Sequence, residues 1–255
     1  MKDPTEYNVR AVERALQILG CFDDEHPERS LSDISQVVDL HKATTHRIIT
    51  TLVNYGYLER VADNQKYRLG LQLTELGFKA MRRMDLRREA LPFMTQLSQE
   101  WDEACDLSIF DHGRVFYVEV LQSHHALTVA AVPGQRLPAH CTASGKVFLA
   151  HLPAETLKDV ERHMTGYTPN TITSLEALQE QLSVVRSQGY AIDDEEYELG
   201  LRAVSAPVFN RGGAILAAVS ILSPSSRMTL ERCAEIGLAL KSTTCQISQR
   251  LGWTG

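Results

Sequence analysis

The sequence predicts an α+β protein with an N-terminal winged helix-turn-helix unit, a linker helix and a C-terminal domain built on an antiparallel sheet. Apolar residues recur at helical spacing up to about residue 54, and a short basic hairpin follows them. Beyond Trp101 the apolar period becomes that of strands. The predicted boundaries are 1–72 for the first domain, 73–91 for the linker helix and 92–255 for the second domain.

Composition and length are those of an ordinary globular chain. Of the 255 residues, 44% are apolar and 23% are charged. No apolar run reaches the ~18 residues of a membrane span, and charges interrupt the first thirty positions, so neither a membrane protein nor a secretory signal is predicted. Five widely spaced cysteines fit a reducing compartment, so the expected location is the cytoplasm.

Charge is unevenly distributed along the chain. The net charge is −6, yet residues 40–89 hold ten basic and five acidic side chains. Residues 90–255, by contrast, hold 12 basic and 18 acidic side chains. A basic segment can attract nucleic acid even in an anionic chain, and the alternative interpretation is an ordinary solvated helix face.

Three helices are predicted before the hairpin. The first covers 9–22, the second ends at Val38 and is capped by Ser30 or Ser32, and the third covers 42–54 after a brief turn. Three short helices followed by a hairpin within about 70 residues are typical of a winged helix-turn-helix, whose third helix reads DNA.

The third helix has two different faces at the same i, i+3, i+4, i+7 spacing. The face predicted to pack in the core consists of Thr45, Ile48, Ile49 and Leu52. The other face consists of Ala43, His46, Arg47 and Thr50, with Lys42 and Thr44 in the first turn. Small, hydrogen-bonding and cationic side chains suit a helix lying in a major groove, so these six residues are the candidate contacts to bases and phosphates.

The hairpin that follows is also basic. Residues 57–61 and 66–69 form its arms around a polar tip at 62–65, and Arg60, Lys66 and Arg68 are the candidate phosphate contacts. A zinc site at His41 and His46 is not predicted, because no cysteine lies near them in sequence.

The rest of the chain alternates predicted helices and strands. A linker helix carries the apolar face Leu73, Leu76, Ala80 and Met84, and Pro92 is expected to end it or to start the next helix. Strands are predicted at 105–110, 115–121, 126–132, 190–193, 202–209 and 215–222. Helices are predicted at 143–151, 154–163, 175–188 and 227–250.

Three motifs in this second half bear on whether the chain is an enzyme. Residues 144–146 resemble the end of a phosphate-binding loop, but His140 and Val147 stand where that motif needs Gly and Ser or Thr. Cys141 lies beside His140, which could suggest a catalytic nucleophile, but a buried structural cysteine is the favoured interpretation. The acidic run 193–196 lacks the spaced ligands of a calcium loop. No cofactor and no metal are therefore expected, although an enzyme or metal-dependent hydrolase remains the alternative.

Over residues 8–252 the chain resembles the IclR family of bacterial transcriptional regulators. The resemblance rests on Leu40–Arg47 in the DNA-reading region, and on Leu137–Lys146, Gly189–Glu196 and Leu199–Arg202 in the second domain. It implies a winged helix-turn-helix, a linker helix and a GAF-like effector domain. It also implies a dimer or dimer of dimers that binds pseudo-palindromic operator DNA and responds to small organic or aromatic acids.

The resemblance also implies a ligand site in the second domain. Its expected residues are Ala143, Ser144, Gly145, Asp193, Ala203, Ser220 and Leu222. The chain departs from some relatives in having apolar Ala203 and Leu222, which favours a more apolar effector than a two- or three-carbon acid. In the DNA-reading region, His41 replaces the usual proline, and Ala43 and Thr45 replace residues that are commonly Ser and Val.

Physical chemistry then predicts the class of ligand. A helix beginning near Ala143 has unpaired N–H groups in its first turn, which suit a carboxylate. Ser144 and Ser220 can add hydroxyl donors, and Asp193 can accept a hydrogen bond from a ligand hydroxyl. We therefore expect a small hydroxylated acid with an apolar portion, bound without covalent chemistry or a metal. The alternative is that these positions simply pack the sheet.

Overall fold

The computed structural model describes residues 9–23, 25–61, 65–82 and 85–255, with the backbone alone for residues 78–82 and 85. The chain divides into two compact units, Met1–Arg83 and Met84–Gly255. Among the described residues, no helix is long and apolar enough to cross a membrane.

The first unit is a three-helix core with a small antiparallel sheet. Its elements are α1 (Arg10–Leu19), β1 (Arg29–Ser30), α2 (Leu31–Val37), α3 (Lys42–Asn54), β2 (Leu58–Arg60), β3 (Lys66–Leu69) and α4 (Leu71–Arg82). The buried side chains at its centre are Ile18, Cys21, Ile34, Ile49, Leu52, Leu58 and Tyr67. The predicted hairpin forms from β2 and β3, while residues 62–64 of its predicted tip lie outside the described residues.

Local hydrogen bonds explain where the helices begin. Ser30 caps α2, since the Asp33 N–H donates to Ser30 Oγ (3.2 Å) and the Ser30 N–H donates to the Asp33 carboxylate (3.0 Å). Of the two predicted caps, Ser30 is therefore the one used. At α3, the Ala43 N–H donates to Nδ1 of His41 (3.3 Å), so a histidine performs the capping that a proline side chain cannot.

Two features of the first unit were not predicted. Val12 and Leu16 lie at helical spacing in the first predicted helix, a pattern that predicts a buried face, yet they are 56% and 63% exposed, and Ile18 is the buried residue of α1. Strand β1 pairs with β3 through Arg29 opposite Tyr67, giving the sheet order β1-β3-β2. Two residues are too short to show a strand period in the sequence.

The second unit is a six-stranded antiparallel sheet with helices on both faces. Its elements are α5 (Asp85–Trp101), β4 (Ala104–Asp111), β5 (Arg114–Leu121), β6 (Arg136–Pro138), α6 (Ala143–His151), α7 (Glu155–Glu161), α8 (Leu175–Gln188), β7 (Ala191–Asp194), β8 (Leu201–Phe209), β9 (Ile215–Pro224) and α9 (Leu230–Arg250). The strand order is β6-β5-β4-β9-β8-β7. One face packs against α5 and α9, and the other against α6 and α8, so the predicted α+β fold class is confirmed.

The segment predicted as one linker helix contains α4 and the first part of α5. Pro92 lies inside α5, so the expected break at this residue was wrong. A proline removes one backbone hydrogen bond, but Leu86, Ala90, Met94 and Leu97 bury one face of α5 in the core, which offsets that loss. Of the predicted linker face, Met84 and the side chain of Ala80 lie outside the described residues, and Leu76 is exposed.

The strand predicted at 126–132 was also wrong. All seven residues are described and none is in a strand, whereas β6 forms at Arg136–Pro138. The residues that follow pair with β5 instead: the Gly134 N–H donates to the Tyr117 carbonyl (2.8 Å), and Arg114–Phe116 pair with β6. Residues 126–132 precede this pairing and form no ladder with any strand.

Candidate functional site

Helix α3 presents the polar face that the sequence predicted. Thr45, Ile49 and Leu52 are buried beneath it, with Ile48 packed at the edge of the core. The side chains on the outer face are exposed for Lys42, Ala43, His46, Arg47 and Thr50, and half-buried for Thr44. The Thr50 hydroxyl donates to the His46 carbonyl (2.8 Å), so its oxygen can still accept a hydrogen bond.

The hairpin brings one of its cations into an ion pair. Arg68 lies directly opposite Glu59, and its Nη2 is 2.9 Å from Glu59 Oε2. Both side chains are largely exposed, so this pair is worth little in water and a phosphate can compete for the guanidinium. Arg60 is exposed and Lys66 is half-buried, so the three predicted cations differ in their availability.

A second candidate site lies where the alternation of the sheet brings polar side chains to one face. On β4, Asp106 points away from its neighbours Cys105 and Leu107, which are in the α5–α9 core. In the register of β4, β9 and β8, Asp106 is opposite Ser220 and Ser220 is opposite Ser205. The next row along the sheet is apolar and consists of Ala104, Leu222 and Ala203, followed by Asp193 on β7.

The first turn of α6 closes this face and leaves a small cavity of about 20 Å³. Its lining residues are Asp106, Tyr117, Leu137, Thr142, Ala143, Ser144, Asp193, Tyr197, Leu201, Ala203, Ser220 and Leu222. This volume holds about one water molecule, so a larger ligand enters only when the lining side chains move. Six of the seven predicted ligand residues line the cavity.

The exception is Gly145, which has a packing role instead. A Cβ at this position would lie 2.1 Å from the carbonyl oxygen of Ala139, so only glycine allows α6 to approach that segment. The Gly145 N–H donates to Oγ1 of Thr142 (3.3 Å), the cap of α6. The first-turn amides of Ala143 and Ser144 have no acceptor within an α-helix and lie at the cavity wall.

Sequence reasoning missed half of the lining. Asp106, Tyr117 and Tyr197 bring a carboxyl group and two aromatic rings to the cavity, and none was proposed as a site residue. Alternation along β4 groups Asp106 with Ala104 and Ser108. The sequence contains no information on the register between β4 and β9, however, so nothing placed Asp106 beside Ser220.

The two carboxyl groups of the cavity have perturbed acidities. Burial raises the pKa of Asp106 to about 7, against the opposing effect of the nearby Ser220 and Ser108 hydroxyls. Burial and, secondly, the charge of Glu196 raise the pKa of Asp193 to about 7, while Lys146 opposes the rise. The Glu196 N–H donates to Oδ1 of Asp193 (2.8 Å). Near neutral pH each group is therefore partly protonated and partly ionised.

The key residues of the three motifs that bear on an enzyme function are buried or ion-paired within the protein. Lys146 is buried and forms an ion pair with Glu196, so it is not available to a phosphate. Burial raises the pKa of Cys141 to about 12, which keeps its thiol protonated. In the acidic run, Asp194 and Glu195 pair with Arg202. Within the described ranges, no group of three His, Cys, Asp or Glu side chains is arranged to hold a metal ion.

A larger depression of about 250 Å³ lies elsewhere in the second unit. It is lined by His112, Gly113, Arg114, Pro138, His140, Asp159, Val160, His163 and Tyr167. None of the predicted site residues lines it. The ring of His140 is already hydrogen-bonded to the Thr165 carbonyl (3.0 Å), which gives it a structural partner.

A winged helix-turn-helix with an exposed polar face on its third helix, followed in the chain by a domain with an enclosed cavity, is the architecture of DNA-binding transcriptional regulators. Residues 11–62 match the IclR helix-turn-helix domain, and residues 78–249 match the bacterial transcriptional regulator IclR C-terminal domain. The chain belongs to the IclR family of bacterial transcriptional regulators. Its members are regulators rather than enzymes, which confirms the prediction and removes the hydrolase alternative.

Full-length relatives agree with this assignment. The chain is 37% identical over 247 residues to the HTH-type transcriptional regulator XynR of Escherichia coli, covering 96% of this chain and 98% of XynR. It is 35% identical over 248 residues to KdgR of Escherichia coli, covering 96% and 94% of the two chains.

Solved structures share the fold over nearly the whole chain. An IclR homologue from Microbacterium hydrocarbonoxydans, complexed with 4-hydroxybenzoate, has a TM-score of 0.83 and 30% identity, covering 94% of this chain and 98% of that one. An IclR transcriptional regulator from Alicyclobacillus acidocaldarius has a TM-score of 0.86 and 28% identity, covering 96% and 100%.

Proposed function

We propose that this regulator binds a small hydroxylated organic acid in the cavity beneath α6 and that binding changes its affinity for operator DNA. The observation that carries the proposal is the cavity itself, where hydroxyl and carboxyl groups meet an apolar wall beside the first turn of α6. The relative crystallised with 4-hydroxybenzoate supports an acid of this class, since that ligand combines a carboxylate, an apolar ring and a hydroxyl group.

Each part of such a ligand has a partner in the cavity. The first-turn amides of α6 and the Ser144 hydroxyl supply hydrogen-bond donors for a carboxylate, helped by the positive end of the helix dipole. Ala203 and Leu222 supply an apolar wall. Ser220 and Asp193 supply polar groups for a hydroxyl, and no covalent step, cofactor or metal is required.

We propose that the outer face of α3 reads DNA bases and that the hairpin contacts phosphates. Arg47 can offer two parallel hydrogen bonds to a guanine, and Thr44, His46 and Thr50 can contact base edges or backbone. Lys42, Arg60, Lys66 and Arg68 add charge along the backbone. One reading helix covers only a few base pairs, so the active species is a two-fold oligomer on a pseudo-palindromic operator.

Calorimetry on the full chain tests the ligand site. Titration with a panel of hydroxylated and aromatic acids identifies the tightest binder, and Leu222→Ser and Asp193→Ala then weaken it at least several-fold. Ser248→Ala, a buried serine on α9 outside the cavity lining, serves as the matched control. Unchanged affinity in both cavity variants would place the ligand elsewhere.

Light scattering tests the oligomer. We expect at least a dimer at micromolar concentration, and a monomer with full operator affinity would contradict it.

A further inference from the structure

Asp106 is a buried carboxyl group whose oxygens have no hydrogen-bond partner. Its side chain is inaccessible to solvent, and neither Oδ1 nor Oδ2 is hydrogen-bonded within the described part of the chain. A buried acceptor without a donor costs free energy, so folded proteins usually supply one from the chain, a water or a bound molecule. Because Asp106 lines the cavity, a bound molecule can supply the missing donor.

The neighbouring hydroxyl groups donate their protons elsewhere. Ser220, directly opposite Asp106, donates to Ser205 Oγ (3.1 Å), and Ser205 in turn donates to the Val219 carbonyl (3.1 Å). Ser108, two residues along β4, donates to the Ala218 carbonyl (3.4 Å). Ser220 and Ser108 therefore lie close enough to Asp106 to lower its pKa, but their hydrogen bonds go to other acceptors and its carboxyl oxygens have no hydrogen-bond partner among the described residues.

Asp193, the other carboxyl group in the cavity, is in a different situation. It already accepts the Glu196 N–H on Oδ1 (2.8 Å).

The residues lining the cavity include no Lys, Arg or His, and nearby Lys146 is ion-paired with Glu196. Among the described residues no cation is thus available to pair with Asp106, so its ionised form would repel a ligand carboxylate. The ligand group that fits ionised Asp106 is a hydrogen-bond donor.

We infer that Asp106 is the specificity-determining residue of the cavity and accepts a hydrogen bond from a hydroxyl group of the effector. Hydroxylated acids are thereby selected over the same acids without the hydroxyl. This inference rests on the proposed function, because it requires the effector to occupy this cavity. A site with a buried group that needs a ligand hydroxyl discriminates strongly, since the analogue leaves that group unpaired.

The test is calorimetry on the full chain with three matched pairs: glycolate and acetate, lactate and propanoate, and 4-hydroxybenzoate and benzoate. At pH 8, where Asp106 is largely ionised, we expect the hydroxylated member of the binding pair to bind roughly tenfold to a hundredfold more tightly, as for a hydrogen bond to a charged group. The leucine side chain in Asp106→Leu has a similar shape but no hydrogen-bond acceptor. In this variant the hydroxylated acid and its analogue should therefore bind with equal affinity.

A second variant tests the same point without removing the carboxyl group. In Ser205→Ala the Ser220 hydroxyl loses its acceptor and turns toward Asp106, which reduces the preference for the hydroxylated acid. Ser248→Ala is the matched control for a buried serine and keeps the preference. Where Asp106→Leu fails to fold, Ser205→Ala decides.

The outcomes separate the two proposals. Equal affinities within each pair in the wild type, or a preference that survives in both Asp106→Leu and Ser205→Ala, would overturn the role of Asp106 and leave the ligand site intact. If none of the six acids binds, the ligand class fails and this inference fails with it.

Discussion

Gly145 of α6 approaches the backbone of Ala139 so closely that a methyl group could not fit between them. The Cβ of any other residue would lie 2.1 Å from the Ala139 carbonyl oxygen and 2.4 Å from its Cα. Both contacts are with backbone atoms, which cannot move aside as a flexible side chain can. This approach brings the first turn of α6 onto the sheet and so forms one wall of the cavity.

Replacing this glycine is therefore expected to destabilise the second unit. Gly145→Ala should lower the free energy of unfolding by about 1–3 kcal/mol, the usual range for overpacking. Thermal denaturation followed by circular dichroism measures the change.

Gly77→Ala is the control for this substitution, because Gly77 lies in helix α4 and a Cβ added there would meet nothing within 4 Å. It should instead be stabilising by about 0.5–1 kcal/mol. Equal effects of the two substitutions would refute the packing argument.

Arg47 is expected to carry specific DNA recognition. Arg47→Ala should weaken operator binding by about 1–3 kcal/mol and relax the preference for one base, with little effect on stability because the side chain is exposed. Arg162→Ala, which removes an exposed arginine from the second unit, is the matched control in the mobility-shift assay. A folded Arg47→Ala protein with wild-type affinity and specificity would show that α3 does not read the operator through this residue.

The Glu59–Arg68 pair predicts unequal contributions from the hairpin cations. Arg60→Ala should reduce the slope of log K against log salt by about 1, as for a lost phosphate contact. Arg68→Ala should reduce it by less, because Glu59 already neutralises part of that charge. Glu59→Gln should strengthen DNA binding. Fluorescence anisotropy over a range of salt concentrations measures these slopes, and a weaker complex with Glu59→Gln would be the opposite result.

Asp106 should make the second unit less stable at alkaline pH. Burial raises its pKa from 3.8 to about 7, so between those values the folded state binds more protons than the unfolded state. The associated stability is fully present below about pH 4 and is lost as the pH rises through 7. Asp106→Asn cannot ionise, so at pH 8 it should be more stable than the wild type by about 1–3 kcal/mol. Chemical denaturation at pH 5 and pH 8 checks the sign; a variant that loses stability relative to the wild type at pH 8 would contradict it.

The elements that the sequence predicted well are those whose period is long and whose ends carry clear signals. Helices α3, α6 and α8 have the predicted bounds, and each begins after a residue whose side chain caps it: His41, Thr142 and Ser174. The segment 126–132 has the composition of a strand but pairs with no other strand. Pairing is a tertiary property that no local pattern contains.

The same limit applies to the cavity. Ala143, Ser144 and Asp193 came from a family resemblance, and they do meet at one cavity. Asp106 could not be found that way, because its significance depends on the register of β4 against β9 and on the direction of the Ser220 hydrogen bond. Both are set by the assembled sheet rather than by any nearby residues in the chain.

The most direct test of effector-controlled DNA binding is a mobility-shift titration of the full chain on DNA from its own upstream region, with and without the tightest-binding acid found by calorimetry. We predict that a hydroxylated acid changes operator affinity by roughly fivefold or more, the lower end of common allosteric coupling, and that Leu222→Ser abolishes the change. Tight binding of the acid with no change in operator affinity would contradict this prediction.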